Sequence, residues 1–597
     1  MDINPASFET GAADGYRKLI DIGIALSIER DSAKLMERIL LEAKAFTNAD
    51  AGTLYLNHED RELTFQIVRN DSLNIAYGGT TGAEIKFKPV PLRTETGAPN
   101  VHNVASYSAI TGKVINVPDA YSSTDEWDFS GTKRFDASTG YHSQSFLTVP
   151  LKNHEGLVIG VMQLINAEDA AGKVVPFDER IVPLVEALAS QAAVSIDNHM
   201  LIEAQKRLLD SFIELIAAAI DAKSPYTGGH CQRVPALTEM LTRAVCESTD
   251  GPFAGFSLDD AGWYELHIAG WLHDCGKVTT PEYVVDKATK LETIYDRIHE
   301  VRLRFEVLKR DAEIAYLKAR LEGGDAAKLE AEYQAEIAAL EDDFAFIGAC
   351  NEGGEFMAPA KVERVQKIAE RTWTRTLSDR IGISYAERTR REREPEKPLP
   401  AREKLLEDRY DHVIEREAQD LMPADNKWGF KIRMPERKYN LGELYNLCIG
   451  RGTLNDEERY KINDHIMQTI VMLEGLPFPR HLRRVAEYAG GHHEKMDGTG
   501  YPRGLKKADM SIPARVMAIA DIFEALTAAD RPYKPAKKLS ESIKIMSFMV
   551  KDNHIDPDLF RLFLESGVYR QYAEKFLKPE QIDDVDVAAY LRPSAAA

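Results

Sequence analysis

Between Phe177 and Ala222 the chain is nearly free of proline, Pro183 being the exception, and it reads as one long helix. A helix of that length separates whatever folds on its two sides, so it constrains the architecture more than any other segment. Leu184, Leu188, Ala192, Ile196 and Met200 form one apolar stripe, and Leu208, Phe212, Leu215 and Ala219 continue a similar one. Two readings fit this periodicity: a parallel signalling helix in a homodimer, and a single linker helix packed on its own domain.

Upstream, about residues 15–195 mix helix with strand. Ile20 to Ala45 has helical periodicity, and Gly52–Leu56 and Leu63–Val68 read as strands paired across a polar turn. Ser145–Leu151 and Leu157–Ile165 are a second pair, joined by Lys152-Asn153-His154-Glu155-Gly156. A helix is expected to start near Phe177. The simplest architecture is α+β, an antiparallel sheet flanked by helices.

Downstream, residues 221–576 read as an all-α domain, interrupted at about 305–438 by a charged, largely helical insertion. Arg390-Arg391-Glu392-Arg393-Glu394 typifies it, and Ala312–Leu340 reads as a helical hairpin turning at Gly323-Gly324. The insertion is expected to add surface rather than chemistry, and residues 577–597 to form a tail frayed at Ser594–Ala597. At 597 residues the chain exceeds what one core organises, so a multidomain protein is expected.

Composition narrows the function classes. The most apolar helical stretch, Phe212 to Ala222, is broken by Glu214 and Asp221, so no membrane span is expected. Met1-Asp2-Ile3-Asn4-Pro5 lacks signal-peptide character, and five scattered cysteines without a CxxC pair fit a reduced, cytoplasmic setting. A net charge of −20 argues against a general nucleic-acid binder. A small anionic nucleotide held by metal ions and a few local cations stays open.

Histidines and aspartates carry the chemistry. His230, the pair His273-Asp274, His465, the pair His492-His493 and Asp521 combine imidazole with carboxylate, a donor set suited to Mn, Fe or Zn. Singly, each has an ordinary reading as a packed or hydrogen-bonded side chain. Asp521, however, lies in the apolar run Ile512–Ala528 beside Met517, Ala518 and Ala525, and an acid buried there needs a cation or several donors. His465, flanked by Ile462 and Ile466, leans toward the apolar side of its helix.

Two resemblances extend this reading. Phe135-Asp136, Ser138-Thr139-Gly140-Tyr141, Ser145–Leu151 and Asn166-Ala167 through Phe177-Asp178-Glu179 resemble a GAF domain. Ala167 stands where cyclic-nucleotide GAF domains carry lysine, and Phe177 abuts Asp178-Glu179. The ligand pocket is therefore unassigned, with a small ligand and a purely dimerising role as alternatives. Leu272-His273-Asp274-Cys275-Gly276-Lys277 resembles the core of the HD phosphohydrolase superfamily. The run His492-His493-Glu494-Lys495-Met496-Asp497-Gly498-Thr499-Gly500-Tyr501-Pro502, followed by Ile512-Pro513-Ala514-Arg515, Asp521 and Asp530-Arg531-Pro532-Tyr533, resembles the HD-GYP signature.

That second resemblance implies hydrolysis of cyclic di-GMP to pGpG and GMP. It assigns His230, His273, Asp274 and Asp521 to one metal ion, with Asp274 bridging to a second ion completed by His465, His492 and His493. Iron or manganese is the expected metal, and zinc an alternative. Tyr226 replaces the glutamate that holds a third ion in some members, so a two-metal site is expected. His299 and His465 compete for one ligand position; the helix leading from Leu454 to His465 fits better, leaving His299 at the surface or insertion base. Paired ions about 3.5–4 Å apart clamp a phosphate for in-line attack by water. Lys277 is expected to neutralise charge on a phosphate oxygen, Arg531 and Lys534 to grip the second phosphate, and Tyr501 to stack on a base or hold the loop. Alternatives are a hydrolase of another cyclic dinucleotide, and a weakly catalytic effector that signals through a partner protein.

Overall fold

The computed structural model describes residues 17, 19–26, 28–29, 31–122, 127–223, 229–354, 356–423, 425–529 and 536–591. The chain divides into two compact units, Met1–Leu209 and Asp210–Ala597.

The first unit is built on an antiparallel sheet of strands β1 (Ala49–His58), β2 (Glu62–Asn70), β3 (Ile75–Gly78), β4 (Val90–Pro91), β5 (Ile115–Val117), β6 (Phe146–Lys152), β7 (Val158–Glu168) and β8 (Val174–Val175). Its order is β3-β2-β1-β7-β6-β5, with β4 on β2 and β8 on β7. Both expected strand pairs form: Leu54 faces Ile67 across β1–β2, and Val149 faces Met162 across β6–β7. Alternation along the strands buries both faces. Leu54, Ile67, Leu147 and Leu164 pack on Ile39, Leu40, Leu188 and Ala192, whereas Tyr55, Leu63 and Val161 pack on Ala105 and Ala109.

The expected run from Ile20 to Ala45 is not one helix. Asp31 caps a new helix, Ser32–Thr47, accepting from the N–H groups of Ala33 and Lys34. The long helix, Val182–Lys223, also begins later than Phe177. Asp178 accepts from the Arg180 N–H and holds a turn through Ile181 before the helix starts. Along it, Leu188, Ala192 and Ile196 are buried in the first unit's core, so this half packs on its own domain. The second stripe is uncovered: Leu208, Phe212 and Leu215 are 58%, 53% and 64% exposed. No helix among the described residues is long and apolar enough to cross a membrane.

In the second unit, the helices His230–Glu247 and Ile512–Thr527 bury Val234, Leu237 and Leu241 against Val516, Ile519 and Phe523. Helices Leu539–Lys551, Pro557–Glu565 and Val568–Phe576 close that core with Met546, Phe563 and Tyr572. The tail does not begin at 577. Ile582, Val585, Tyr590 and Leu591 pack on the same core, and the buried Gln581 amide donates to the carbonyl oxygens of Thr527 and Lys537.

The insertion departs from the sequence expectation in three ways. Its hairpin, Ile298–Leu321 and Ala326–Asn351, turns at Gly323 (φ 88°) as expected, but two small antiparallel sheets follow, so the unit is mostly helical rather than all-α. Its core reaches past 305–438, uniting Leu291, Ile298 and Phe305 with Leu405, Leu406 and Leu447. It also touches the signature loop: Lys431 N–H donates to the Pro502 carbonyl (2.7 Å), and Arg503 Nε to the Trp428 carbonyl (2.8 Å).

A buried pair locks the insertion's base, with Lys287 Nζ 2.7 and 2.8 Å from the Glu458 oxygens and both side chains 2% exposed. Lys287→Met strands that carboxylate and should cost about 3–5 kcal/mol in urea denaturation. The double change Lys287→Met with Glu458→Leu should recover most of the loss.

Candidate metal centre

Five separate elements deliver the histidines and aspartates to one place. His230 opens its helix after Gly229, and His273-Asp274 ends the helix Asp260–Leu272. His465 lies within Asp456–Glu474, His492-His493 follow Val485–Gly490, and Asp521 lies within Ile512–Thr527. Gly276 permits this convergence: a Cβ there would lie 1.9 Å from the His465 carbonyl oxygen. Its N–H donates to Thr469 Oγ1 at 2.9 Å, fastening the His273-Asp274 corner to the His465 helix.

The ring orientations follow from Nδ1. In His273, His465 and His492 this atom lies 2.7, 2.5 and 2.7 Å from the carbonyl oxygens of Gly270, Ile462 and Ala489. A carbonyl only accepts, so each Nδ1 carries the proton and each Nε2 presents a lone pair. The Nε2 atoms of the histidines converge on the aspartates. His230 Nε2 and His273 Nε2 lie 3.0 and 3.3 Å from Asp274 Oδ2, and 3.4 and 3.9 Å from Asp521 Oδ1. His465 Nε2 lies 3.2 Å from Asp274 Oδ1 and 3.2 Å from His493 Nε2. Among the described residues, His492 Nε2 and Asp274 Oδ1 are buried without a hydrogen-bond partner. Acceptors gathered against acceptors, in a place water does not reach, match what a cation needs. Among the described residues, two groups have donor atoms within 4.8 Å of one another: His230, His273, Asp274 and Asp521, and His465, His492 and His493. Asp274 has one oxygen toward each.

Electrostatics separate the two halves. Burial disfavours charge on Asp274, but Lys277, His273 and His230 hold its carboxyl well below the usual range. Burial likewise opposes the His230 imidazolium, yet hydrogen bonds to Asp274 and Glu524 raise it to about 10. Across the site burial dominates, taking His492 down to about 4 and His493 well below the usual imidazole value.

Other predicted residues fall variously. Lys277 hydrogen-bonds Asp274 directly, so its ammonium is committed to that carboxylate. Asp521, expected to be buried, is 15% exposed at the side chain and sits at the rim. Tyr501 stacks on His493 at 4.9 Å and 18°. His299 is exposed beside Arg302. Arg531, Lys534 and Tyr226 lie outside the described residues.

Two residues escaped the sequence reading. Glu524, 1% exposed, lies 2.5 Å from His230 Nδ1 and accepts from Arg233 Nε at 2.7 Å. Burial works against its charge, but His230 and Arg233 hold it at about 2. Its signal was a second acid one turn beyond Asp521 in an apolar helix. Glu494, also 1% exposed, accepts from the N–H groups of Arg503 and Leu505 and folds the loop that carries Tyr501.

Known proteins match two parts of the chain. A family model described as an HD domain matches residues 400–559, and one described as a GAF domain matches residues 31–196. The chain thus combines a GAF domain with an HD domain, whose matched span includes His465, His492, His493 and Asp521. A 3'3'-cGAMP-specific phosphodiesterase 1 of Vibrio cholerae is 39% identical over 116 residues, 19% of this chain and 26% of that protein. A cyclic di-GMP phosphodiesterase of Thermotoga maritima is 37% identical over 146 residues, 24% of this chain and 36% of that protein. The match therefore spans about a quarter to a third of these relatives' own length. The GAF domain of an Acinetobacter phosphoenolpyruvate-protein phosphotransferase aligns with 32% of this chain and 97% of its own, at 12% identity and a TM-score of 0.24.

A His230 that titrates near 10 must lose its proton before its Nε2 can bind a cation. Calorimetry of Mn²⁺ binding at pH 8, in buffers of different ionisation enthalpy, should therefore show about one proton released per chain. Lowering the pH below 8 should weaken binding. Glu524→Gln removes the acid that sustains this charge and orients the ring; it should diminish proton release and lower metal affinity about 10–100-fold.

Proposed function

We propose that the second unit hydrolyses the phosphodiester bonds of a cyclic dinucleotide, converting cyclic di-GMP to pGpG and GMP, as an HD-GYP phosphodiesterase regulated by its GAF domain. The carrying observation is the Asp274 carboxylate, which turns one oxygen to His230 and His273 and the other to His465. In this reading His230, His273, Asp274 and Asp521 hold one divalent ion, and Asp274, His465, His492 and His493 a second. Iron or manganese fits this imidazole-rich set with carboxylate, and zinc is the alternative. Relatives named for cyclic di-GMP and for 3'3'-cGAMP support the substrate class.

Such ions, when bound, supply Lewis acidity toward the scissile phosphate. The chain's own residues supply order. Glu524 and Arg233 fix the His230 ring, the carbonyls of Gly270, Ile462 and Ala489 fix three more, and Tyr501 backs His493. Lys277 restrains Asp274. Arg531 and Lys534 are proposed to grip the second phosphate.

The first relative's name favours a second substrate reading, a mixed guanine–adenine dinucleotide. Incubating Mn- or Fe-loaded protein with each dinucleotide and resolving products by chromatography tests both. Linear dinucleotide or mononucleotide from cyclic di-GMP, lost on chelation, is expected. Product from the mixed substrate alone would transfer the assignment, and no product from either would leave a binding effector. Asp274→Ala should lower turnover at least about 10³-fold, and near-normal activity would contradict the two-ion reading.

The uncovered stripe supports a homodimer. Leu201, Leu208 and Leu215 recur at heptad spacing and are 48%, 58% and 64% exposed. Light scattering should report a dimer that Leu208→Glu with Leu215→Glu converts to monomer. The five free cysteines fit a cytoplasmic setting.

A further inference from the structure

Asp221 interrupts the apolar end of the long helix Val182–Lys223, and it belongs to neither group of ligand candidates. Its place is locally unfavourable, because a carboxylate in the last turn of a helix opposes the helix dipole. What it holds explains the choice. Asp221 Oδ2 accepts from the Gly229 N–H at 3.1 Å, and the Cys231 thiol donates to the same carboxylate. Those two residues flank His230. Gly229, at φ 83°, is the N-cap of the helix that His230 opens, and it has no side chain with which to cap it. Asp221 accepts there from the cap's own N–H, the bond that the third helical residue makes in a capping box. Glu524 thus orients the His230 ring, and Asp221 holds the backbone that carries it.

The same helix is tethered again earlier in its course. The Tyr264 hydroxyl donates to Asp210 Oδ1 at 2.8 Å, and Tyr264 lies on the helix Asp260–Leu272, which ends in His273-Asp274. About three turns separate Asp210 from Asp221, so the two acids share one face. Ile213, Ala217 and Ile220 lie between them on that face and are 4%, 1% and 5% exposed. Leu208, Phe212 and Leu215 occupy the opposite face and are exposed. From Asp210 onward the chain belongs to the second unit. One face of the helix end is therefore fastened to both elements that bring His230, His273 and Asp274 together.

We propose that Asp221 is a positioning residue for His230, and that the end of the long helix acts on one ion in preference to the other. The favoured position is that of His230, His273, Asp274 and Asp521. Loss of the Asp221 acceptor releases Gly229 and shifts His230 Nε2 from its place 3.0 Å from Asp274 Oδ2. On the other side, His465 and His492 keep the carbonyl partners of their own chain segments. The assignment rests on the two-ion reading of the metal centre.

Calorimetric titration of the full chain with Mn²⁺, with one ligand group disabled at a time, separates the two positions without turnover. In a His493→Ala background, which retains the His230 group, Asp221→Ala should weaken Mn²⁺ binding about tenfold. In a His230→Ala background, which retains the His465 group, the same change should leave binding unaltered. Asp221→Asn, whose amide oxygen still accepts from Gly229, should recover most of the loss. Tyr264→Phe, a milder change at the other tether, should weaken the first position by a smaller factor and spare the second. Equal weakening in both backgrounds, or none in the first, would overturn the proposal. A wild type that binds a single ion, still weakened by Asp221→Ala, would contradict the two-ion reading and support the role of Asp221.

Discussion

The carboxylate of Asp274 is 3% exposed, and four groups from three elements close on it: His230, His273, His465 and Lys277. An acid so placed needs opposite charge: His230 and Lys277 bring it to Oδ2, while Oδ1 faces the His465 Nε2 and is left for a cation. Much of the second unit serves this one group. Gly276 lets the His273-Asp274 corner reach the His465 helix, because any side chain there would run into the His465 carbonyl. Thr469 then holds the contact with a hydrogen bond.

A second layer fixes direction rather than proximity. Three imidazoles donate from Nδ1 to a carbonyl of their own chain, three residues earlier. The helical or turn geometry that places each histidine thus also selects its tautomer, which is why their Nε2 atoms face inward together. His230 is the first residue of its helix, and Glu524 from a different helix takes that part. Glu494 performs the corresponding service for the signature loop, gathering the N–H groups of Arg503 and Leu505 beneath Tyr501.

Much of this was legible in the residues. Strand-like runs separated by polar turns predicted the two hairpins of the GAF sheet, whose strands are buried on both faces. The donor types, with the apolar settings of Asp521 and His465, pointed to a shared cation, and the resemblance to the HD-GYP signature assigned the seven side chains that the fold brings together. What stayed hidden depended on partners distant in sequence. The break at Asp31 is a capping choice inside a periodic run, and periodicity does not register caps. The docking of residues 582–591 relies on a core completed by other helices. The insertion looked like surface because its composition is charged, yet its Arg, Lys, Asp and Glu side chains largely satisfy one another, as in Arg304 with Glu443. Its apolar minority, Trp428 and Phe430 among them, packs against the His465 helix. The long helix divided its two candidate roles, its first half packing in the GAF core and its second leaving an apolar stripe uncovered.

The central claim is that one carboxylate spans two ion positions, and spin coupling between bound ions reads that directly. Purified full-length protein titrated with Mn²⁺ and followed by electron paramagnetic resonance should take up two ions. Its spectrum should show an exchange-coupled pair, replaced in Asp274→Asn by isolated Mn²⁺ signals. A single bound ion, or two uncoupled ions with Asp274 intact, would contradict the account.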